Sequence, residues 1–135
     1  MGRGFALIVL DTHAWLWWTA APDKLSAAAH DAIDASDAIG VATISCWEVA
    51  MLVEAGRIEL DRGVETWVSQ ALADVRVQPL PLTSTVAVRA ALLGRSGFHG
   101  DPADRIVYST AHVAGAELVT RDQTLRAFDP RGTVW

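Results

Sequence analysis

Five acidic residues lie where the sequence predicts that helices begin. They are Asp11, Glu48, Asp101, Asp104 and Asp122. Three of the four helices closely follow a predicted strand, so with parallel strands their first turns would meet at one sheet edge, where open α/β sheets bind ligands. Carboxylates that converge repel one another and are costly to bury. A divalent cation such as Mg²⁺ or Mn²⁺ removes that cost because it prefers oxygen ligands, and it can activate water to attack a phosphodiester.

Each acid also has a purely structural interpretation. Asp11, Asp101 and Asp122 can act as N-caps, whereas Glu48 and Asp104 occupy positions typical of the acidic member of a capping box. Taken singly, each residue is better explained by capping. Capping does not require them to gather at one edge of a sheet, however, and it is this convergence that favours a metal site.

The elements that would position these acids alternate between strand and helix. Short apolar runs predict strands at residues 5–10, 39–42, 75–79, 117–120 and 133–134. Helical spacing and capping signals predict helices at residues 12–18, 25–35, 43–55, 64–73, 83–93, 101–114 and 122–128. This alternation indicates an α/β fold with a central, mainly parallel sheet of about five strands. The segment at residues 94–100 contains three glycines, lacks a phosphate-loop pattern, and is predicted to be a mobile loop bordering the site.

Composition narrows the class of protein. A chain of 135 residues, half of them hydrophobic, is expected to form one domain spanning residues 1–135. No apolar run approaches the ~20 residues of a membrane helix, and the short run after Arg3 does not satisfy the pattern of a signal peptide. The single cysteine, Cys46, excludes an internal disulfide and is expected to be a buried apolar residue. A cytoplasmic protein is therefore expected, and a net charge of −5 argues against a broad basic nucleic-acid surface.

The helix predicted at residues 12–18 contains three tryptophans, Trp15, Trp17 and Trp18. Trp15 and Trp18 are spaced to share one helical face, whereas Trp17 must point elsewhere. Three tryptophans exceed what one buried stripe requires, so we expect part of this surface to contact a partner.

Four motifs in order resemble those of the PIN-domain family. They are LDTHAWLWW, SCWEVAML, HGDPADRIVYSTA and LVTRDQTL, and the resemblance covers nearly the whole chain. It is strongest to the VapC-type ribonuclease toxins of bacterial toxin–antitoxin modules. The resemblance implies a single α/β/α sandwich and a Mg²⁺- or Mn²⁺-dependent endoribonuclease, usually a homodimer, that a cognate VapB-like antitoxin holds inactive.

The resemblance also assigns residues to the site. Asp11, Glu48, Asp104 and Asp122 match the family's four acids, and they are the predicted catalytic and metal-binding residues. Asp101 is interpreted mainly as a helix cap, because Pro102 occupies the first helical position, although it could reach a metal through water.

Four further residues are candidates for contact with the RNA. Thr12 and Thr120 match small hydroxyl positions beside the acids, and Arg105 and Arg121 could bind phosphate or merely neutralise the carboxylates. The sequence as a whole therefore predicts RNA cleavage by metal-activated water. The alternative is a PIN-like domain that binds RNA or a protein without cutting, which the complete set of four acids disfavours.

Overall fold

The computed structural model describes residues 4–135, and its centre is one parallel β-sheet. The strands are β1 (Leu7–Leu10), β2 (Ala38–Ala42), β3 (Val77–Leu80), β4 (Glu117–Val119) and β5 (Thr133–Val134). Their order across the sheet is β3-β2-β1-β4-β5, and every pairing is parallel. The predicted five-stranded parallel sheet is confirmed.

Helices cover both faces of this sheet. They are α1 (Thr12–Ala20), α2 (Ala27–Asp34), α3 (Thr43–Glu54), α4 (Val64–Leu72), α5 (Ser84–Leu92), α6 (Pro102–Val113) and α7 (Gln123–Phe128). Short 3₁₀ turns lie at Pro22–Lys24 and Leu93–Ser96. None of the helices in the described part of the chain has the length and apolar character needed to cross a bilayer.

The side chains of β1 explain the layered arrangement. Ile8 and Leu10 pack into one core with α1, α2 and α4, whereas Val9 packs into a second core with α6 and α7. A strand that is apolar on both faces must be covered on both faces. The predicted α/β/α sandwich follows from this alternation and is confirmed.

Helix α3 exposes two large apolar side chains. Its sequence carries Trp47 and Met51 one turn apart, yet these side chains are 55% and 49% exposed, whereas Val49 is fully buried. The helix begins at Thr43, directly after β2, and Ser45 is buried beside α1. This contact turns the Val49 side of α3 inward and leaves an apolar patch facing outward.

The glycine-rich segment at residues 94–100 is anchored at its centre. Phe98 is only 1% exposed and packs against Tyr108 and Phe128 in the second core, with ring centroids 6.5 and 5.5 Å away. Gly97 adopts a left-handed conformation with φ 99°, which lets the chain reverse just before this anchor. The prediction of a mobile loop missed the anchor at Phe98, because a single aromatic among glycines has no periodic pattern.

Candidate metal centre

All five acids named above line one cavity of about 650 Å³. The elements that carry them follow β1, β2 and β4, whose carboxyl ends lie side by side in the sheet, together with the first turn of α6. The convergence predicted from the strand-to-helix order is therefore present in the structure.

Asp11 joins β1 to α1. Its carboxylate caps α1 by accepting a hydrogen bond from the backbone N–H of Ala14 at 2.8 Å, and its own N–H donates to the carbonyl of Val119 in β4 at 3.0 Å. Burial raises the pKa of the Asp11 carboxyl above its ordinary value, although hydrogen bonds from Thr120 and Ala14 oppose this. Asp11 is thus both a cap and a cavity carboxylate.

Glu48 is held by α1 rather than by its own helix. The Thr12 hydroxyl donates to Glu48 Oε1 at 2.5 Å, and the hydroxyl oxygens of Thr12 and Ser45 are 2.9 Å apart. The capping-box interpretation of Glu48 is wrong, because α3 is preceded by Ala42 as N-cap and has no side-chain cap. Burial raises the pKa of Glu48, the bond from Thr12 lowers it, and the charges of Asp101 and Asp11 raise it further.

Asp101 and Asp104 occupy the first turn of α6. Asp101 accepts the backbone N–H of Asp104 at 3.0 Å, with Pro102 at the first helical position, so the predicted cap is present. Burial, together with the nearby carboxylates of Asp101, Glu48, Asp122 and Asp11, raises the pKa of Asp104 from 3.8 to about 7. Burial is the largest cause of this rise in pKa, and the charges of the surrounding carboxylates add to it.

Asp122 is the N-cap of α7, the helix that follows β4. Its Oδ1 accepts the backbone N–H groups of Thr124 and Leu125 at 2.8 and 3.3 Å, and its own N–H donates to the Thr120 hydroxyl at 3.1 Å. Like Asp11, it is both a helix cap and a carboxylate that lines the cavity.

The donor chemistry of this cavity fits a hard divalent cation. Carboxylates from separate elements share it, and burial and mutual repulsion raise the pKa of the three that respond most strongly. Oxygen donors of this kind suit Mg²⁺ or Mn²⁺, which retain several waters and need only a few protein ligands. Among residues 4–135, no three acidic, histidine or cysteine side chains form a ready-made metal cluster. The carboxylates therefore share the cavity without already surrounding one point.

The predicted substrate residues fall into two groups. Thr12 and Thr120 are buried, at 3% and 0% exposure, and their hydroxyls hold the acids in place. Arg121 lines the cavity, whereas Arg105 does not, and the Arg105 Nε is buried without a hydrogen-bond partner among the described residues. Of the four, Thr12 and Arg121 line the cavity, and Arg121 is the one that brings a positive charge to it.

The structure adds residues that the motifs do not reveal. Arg57 reaches the cavity because Gly56, with φ 70°, reverses the chain after α3, and the Arg57 N–H then donates to the Leu52 carbonyl at 2.9 Å. The glycine after a helix was the available signal for this turn, but its consequence for Arg57 depends on tertiary structure.

Of the clustered tryptophans, only Trp17 lines this cavity. Trp15 is fully buried against Trp67, with ring centroids 5.1 Å apart, so it offers no surface to a partner. Trp18 borders a different cavity beside Trp67. The three tryptophans therefore lie in three separate environments and do not form one shared surface.

Comparison with known proteins identifies the family. The model of the PIN domain matches residues 8–129, and the chain belongs to the PIN-domain family. It is 45% identical over 130 residues to Ribonuclease VapC22 from Mycobacterium tuberculosis, covering 95% of this chain and 98% of that protein. The resemblance predicted from the four motifs, including its VapC-type branch, is confirmed.

Solved structures share the fold. A toxin–antitoxin complex from Klebsiella pneumoniae aligns with a TM-score of 0.65 at 20% identity, covering 95% of this chain and 96% of that one. VapBC2 from Rickettsia felis, bound to a DNA fragment from its promoter, aligns with a TM-score of 0.65 at 12% identity, covering 94% and 96%. At these identities the likeness concerns the fold.

Proposed function

We propose that this protein is a metal-dependent endoribonuclease and acts as the toxin of a VapBC-type toxin–antitoxin module. The observation that carries the proposal is the single cavity lined by Asp11, Glu48, Asp104 and Asp122, in a chain that belongs to the PIN-domain family. The 45% identity to a VapC ribonuclease supports RNA as the substrate.

We assign the metal, Mg²⁺ or Mn²⁺, to these four carboxylates, with Asp101 contacting it at most through water. When bound, the cation would activate a water molecule and offset the charge that develops on the phosphodiester. The chain itself contributes hydrogen bonds that fix the positions of the acids. The Thr12 hydroxyl fixes Glu48, and the Ala14 N–H restrains Asp11.

Positive groups at the rim would orient the RNA. Arg121 and Arg57 both line the cavity and can approach phosphate oxygens beside the scissile bond. Arg105 lies outside the cavity, so we assign it no contact with substrate.

The rival function is a PIN-like domain that binds RNA or protein without cutting. The pKa of Asp104, which is raised to about 7, argues for a metal-binding cavity instead. Grouping five acids in one cavity is unfavourable unless a cation offsets their charge. A binding surface for RNA would be expected to carry the opposite charge.

The proposed partners are a cognate VapB-like antitoxin and a second copy of the chain. The alignment with toxin–antitoxin complexes supports the first. The outward apolar patch of α3, with Trp47 and Met51 half-exposed, supports the second, since such patches commonly mark protein interfaces. We expect the protein to act in the cytoplasm, where its RNA substrates are found.

The deciding experiment measures RNA cleavage by the purified protein with and without chelator. Excess EDTA should abolish cleavage, and either Mg²⁺ or Mn²⁺ should restore it. The matched control is Asp104→Asn, purified in parallel, which should stay inactive in both metals and thereby exclude a contaminating nuclease. Robust cleavage in excess EDTA by the wild-type protein, absent from the variant, would show that the chemistry does not need the metal. Binding of RNA without any cleavage in either metal would favour the rival.

A further inference from the structure

We propose that Trp17 is a nucleobase-stacking subsite that positions an unpaired base next to the scissile phosphodiester. This inference rests on the proposed ribonuclease function and adds a residue that contacts the substrate. Trp17 lines the same cavity as the acids, and its ring is partly buried and partly open.

The ring of Trp17 is held in place on several sides. Trp135 packs against it with ring centroids 5.8 Å apart, the His13 ring centroid lies at 5.7 Å, and Trp17 also packs against the first core. A ring that is already ordered loses little conformational entropy when a ligand stacks on it. Trp17 is therefore a rigid aromatic surface beside the acidic cluster, which suits a planar ligand.

A cation already lies over this ring. The guanidinium carbon of Arg121 is 6.0 Å from the centroid of Trp17. A stacked base competes for the same aromatic face, and the guanidinium it displaces is then free to bind the neighbouring phosphate. Trp17 and Arg121 would in this way recognise the two halves of one nucleotide, its base and its phosphate.

The cavity is suited to a single-stranded RNA. Its volume of about 650 Å³ lies within the range of sites that accept small organic ligands. Proteins recognise single-stranded RNA by stacking splayed bases on aromatic side chains, and Arg reads the backbone beside them. An aromatic surface at the edge of the acidic centre adds stacking affinity that is available to any base.

The test combines protein variants with RNA from which one base is removed. The probe is a short single-stranded oligoribonucleotide, chosen as the one that the wild-type protein cuts fastest from a random pool. Trp17→Ala should raise KM by about 5- to 150-fold, the loss expected for one base–aromatic stack, with a smaller effect on kcat. Trp17→Phe should recover part of this loss. Trp18→Ala is the matched control, because it removes an equally large ring from the same helix but borders another cavity.

Abasic substitution identifies the stack directly. Binding is measured without metal by fluorescence anisotropy of the labelled oligonucleotide, so this readout does not depend on cleavage. At one position beside the cut, removing the base should weaken binding to the wild-type protein but not to Trp17→Ala. The proposal would be overturned if, at every position, removing the base weakened binding to the wild-type protein and to Trp17→Ala by the same factor. Equal losses of binding in Trp17→Ala and Trp18→Ala would also overturn it.

Other outcomes separate this inference from the ribonuclease function. Cleavage that depends on metal but shows no coupling between Trp17 and any base keeps the function and rejects the subsite. Absence of both RNA binding and RNA cleavage by the wild-type protein in Mg²⁺ and in Mn²⁺ rejects both. If Trp17→Ala weakens only the binding of the antitoxin, the ring belongs to a protein interface and the subsite is likewise rejected.

Discussion

Asp101 and Asp104 lie three residues apart and line the same cavity, but their hydrogen bonds give them different tasks. Asp101 caps α6, a role that asparagine performs equally well. We expect Asp101→Asn to retain most activity. Asp104→Asn should reduce kcat/KM by more than ~100-fold, because losing a metal ligand costs more than losing a residue that only orients one. Single-turnover cleavage at matched stability provides the measurement, and the reverse ranking would contradict these assignments.

Among the single residues, the sequence identified the acids of the cavity, but not that one acid can cap a helix and line the cavity at the same time. The sequence offered capping and metal binding as alternatives for Asp11 and Asp122, and the structure shows that each caps a helix and also lines the acidic cavity. The sequence could not show that Trp17 is the tryptophan that lines the cavity. The three tryptophans lie within four positions of one helix, and they differ only in what packs around them. Trp135, which braces Trp17, is 118 positions away along the chain, beyond any local pattern.

Helices α1 and α3 are joined by polar side chains at the edge of the cavity. Thr12 in α1 contacts both Ser45 and Glu48 in α3. Thr12→Val keeps the shape but removes the donor, so Glu48 loses the bond that lowers its pKa. We expect activity to fall about 10- to 100-fold and the free energy of unfolding to fall by about 1 kcal/mol. Titration of activity against Mn²⁺ should show weaker metal binding.

Thr12→Ser provides the control for this contact, because it retains the hydroxyl. Full activity and unchanged Mn²⁺ dependence in Thr12→Val would mean that the hydrogen bond to Glu48 is structural only. Chemical denaturation of both variants separates the loss of stability from the loss of activity.

Elements were more predictable than the faces they present. Alternating apolar strands and capped helices predicted the parallel sheet, because a strand that is apolar on both faces is stable only where both faces are covered. The orientation of α3 was not predictable, since it depends on a contact between Thr12 and Ser45, which are 33 residues apart in the sequence. The predicted strand at residues 75–79 begins later, at Val77, because Val75 is 98% exposed before the sheet is reached.

Across the whole molecule, the grouped acids make stability depend on pH in the absence of metal. The pKa of Asp104 is raised from 3.8 to about 7, so over that window the folded state binds more protons than the unfolded state. The stabilisation is complete below about pH 4 and is lost as pH rises through about 7. We expect a loss of roughly 1–2 kcal/mol after allowing for solvent screening.

Urea unfolding in EDTA at about pH 5 and about pH 7.5 measures this loss. The change in the free energy of unfolding with pH should be smaller in Asp104→Asn, because asparagine does not titrate. Comparison of the two proteins removes the contribution of all other groups. Added Mg²⁺ should stabilise the wild-type protein more at the higher pH. Identical slopes in the two proteins would show that Asp104 is not the group responsible.

The same negative potential indicates how the toxin would be inhibited. The chain carries a net charge of −5, and five of its acids line one cavity. A guanidinium fits two carboxylate oxygens at once, so we expect the antitoxin to direct an Arg or Lys towards Asp11 and Asp104. Replacing each basic residue of its toxin-binding segment in turn should release RNA cleavage at the residue that enters the cavity. Excess Mg²⁺ should weaken inhibition by the intact antitoxin, since both compete for the same oxygens. A segment that lacks every Arg and Lys yet inhibits at full strength from the same surface would exclude charge capture as the mechanism.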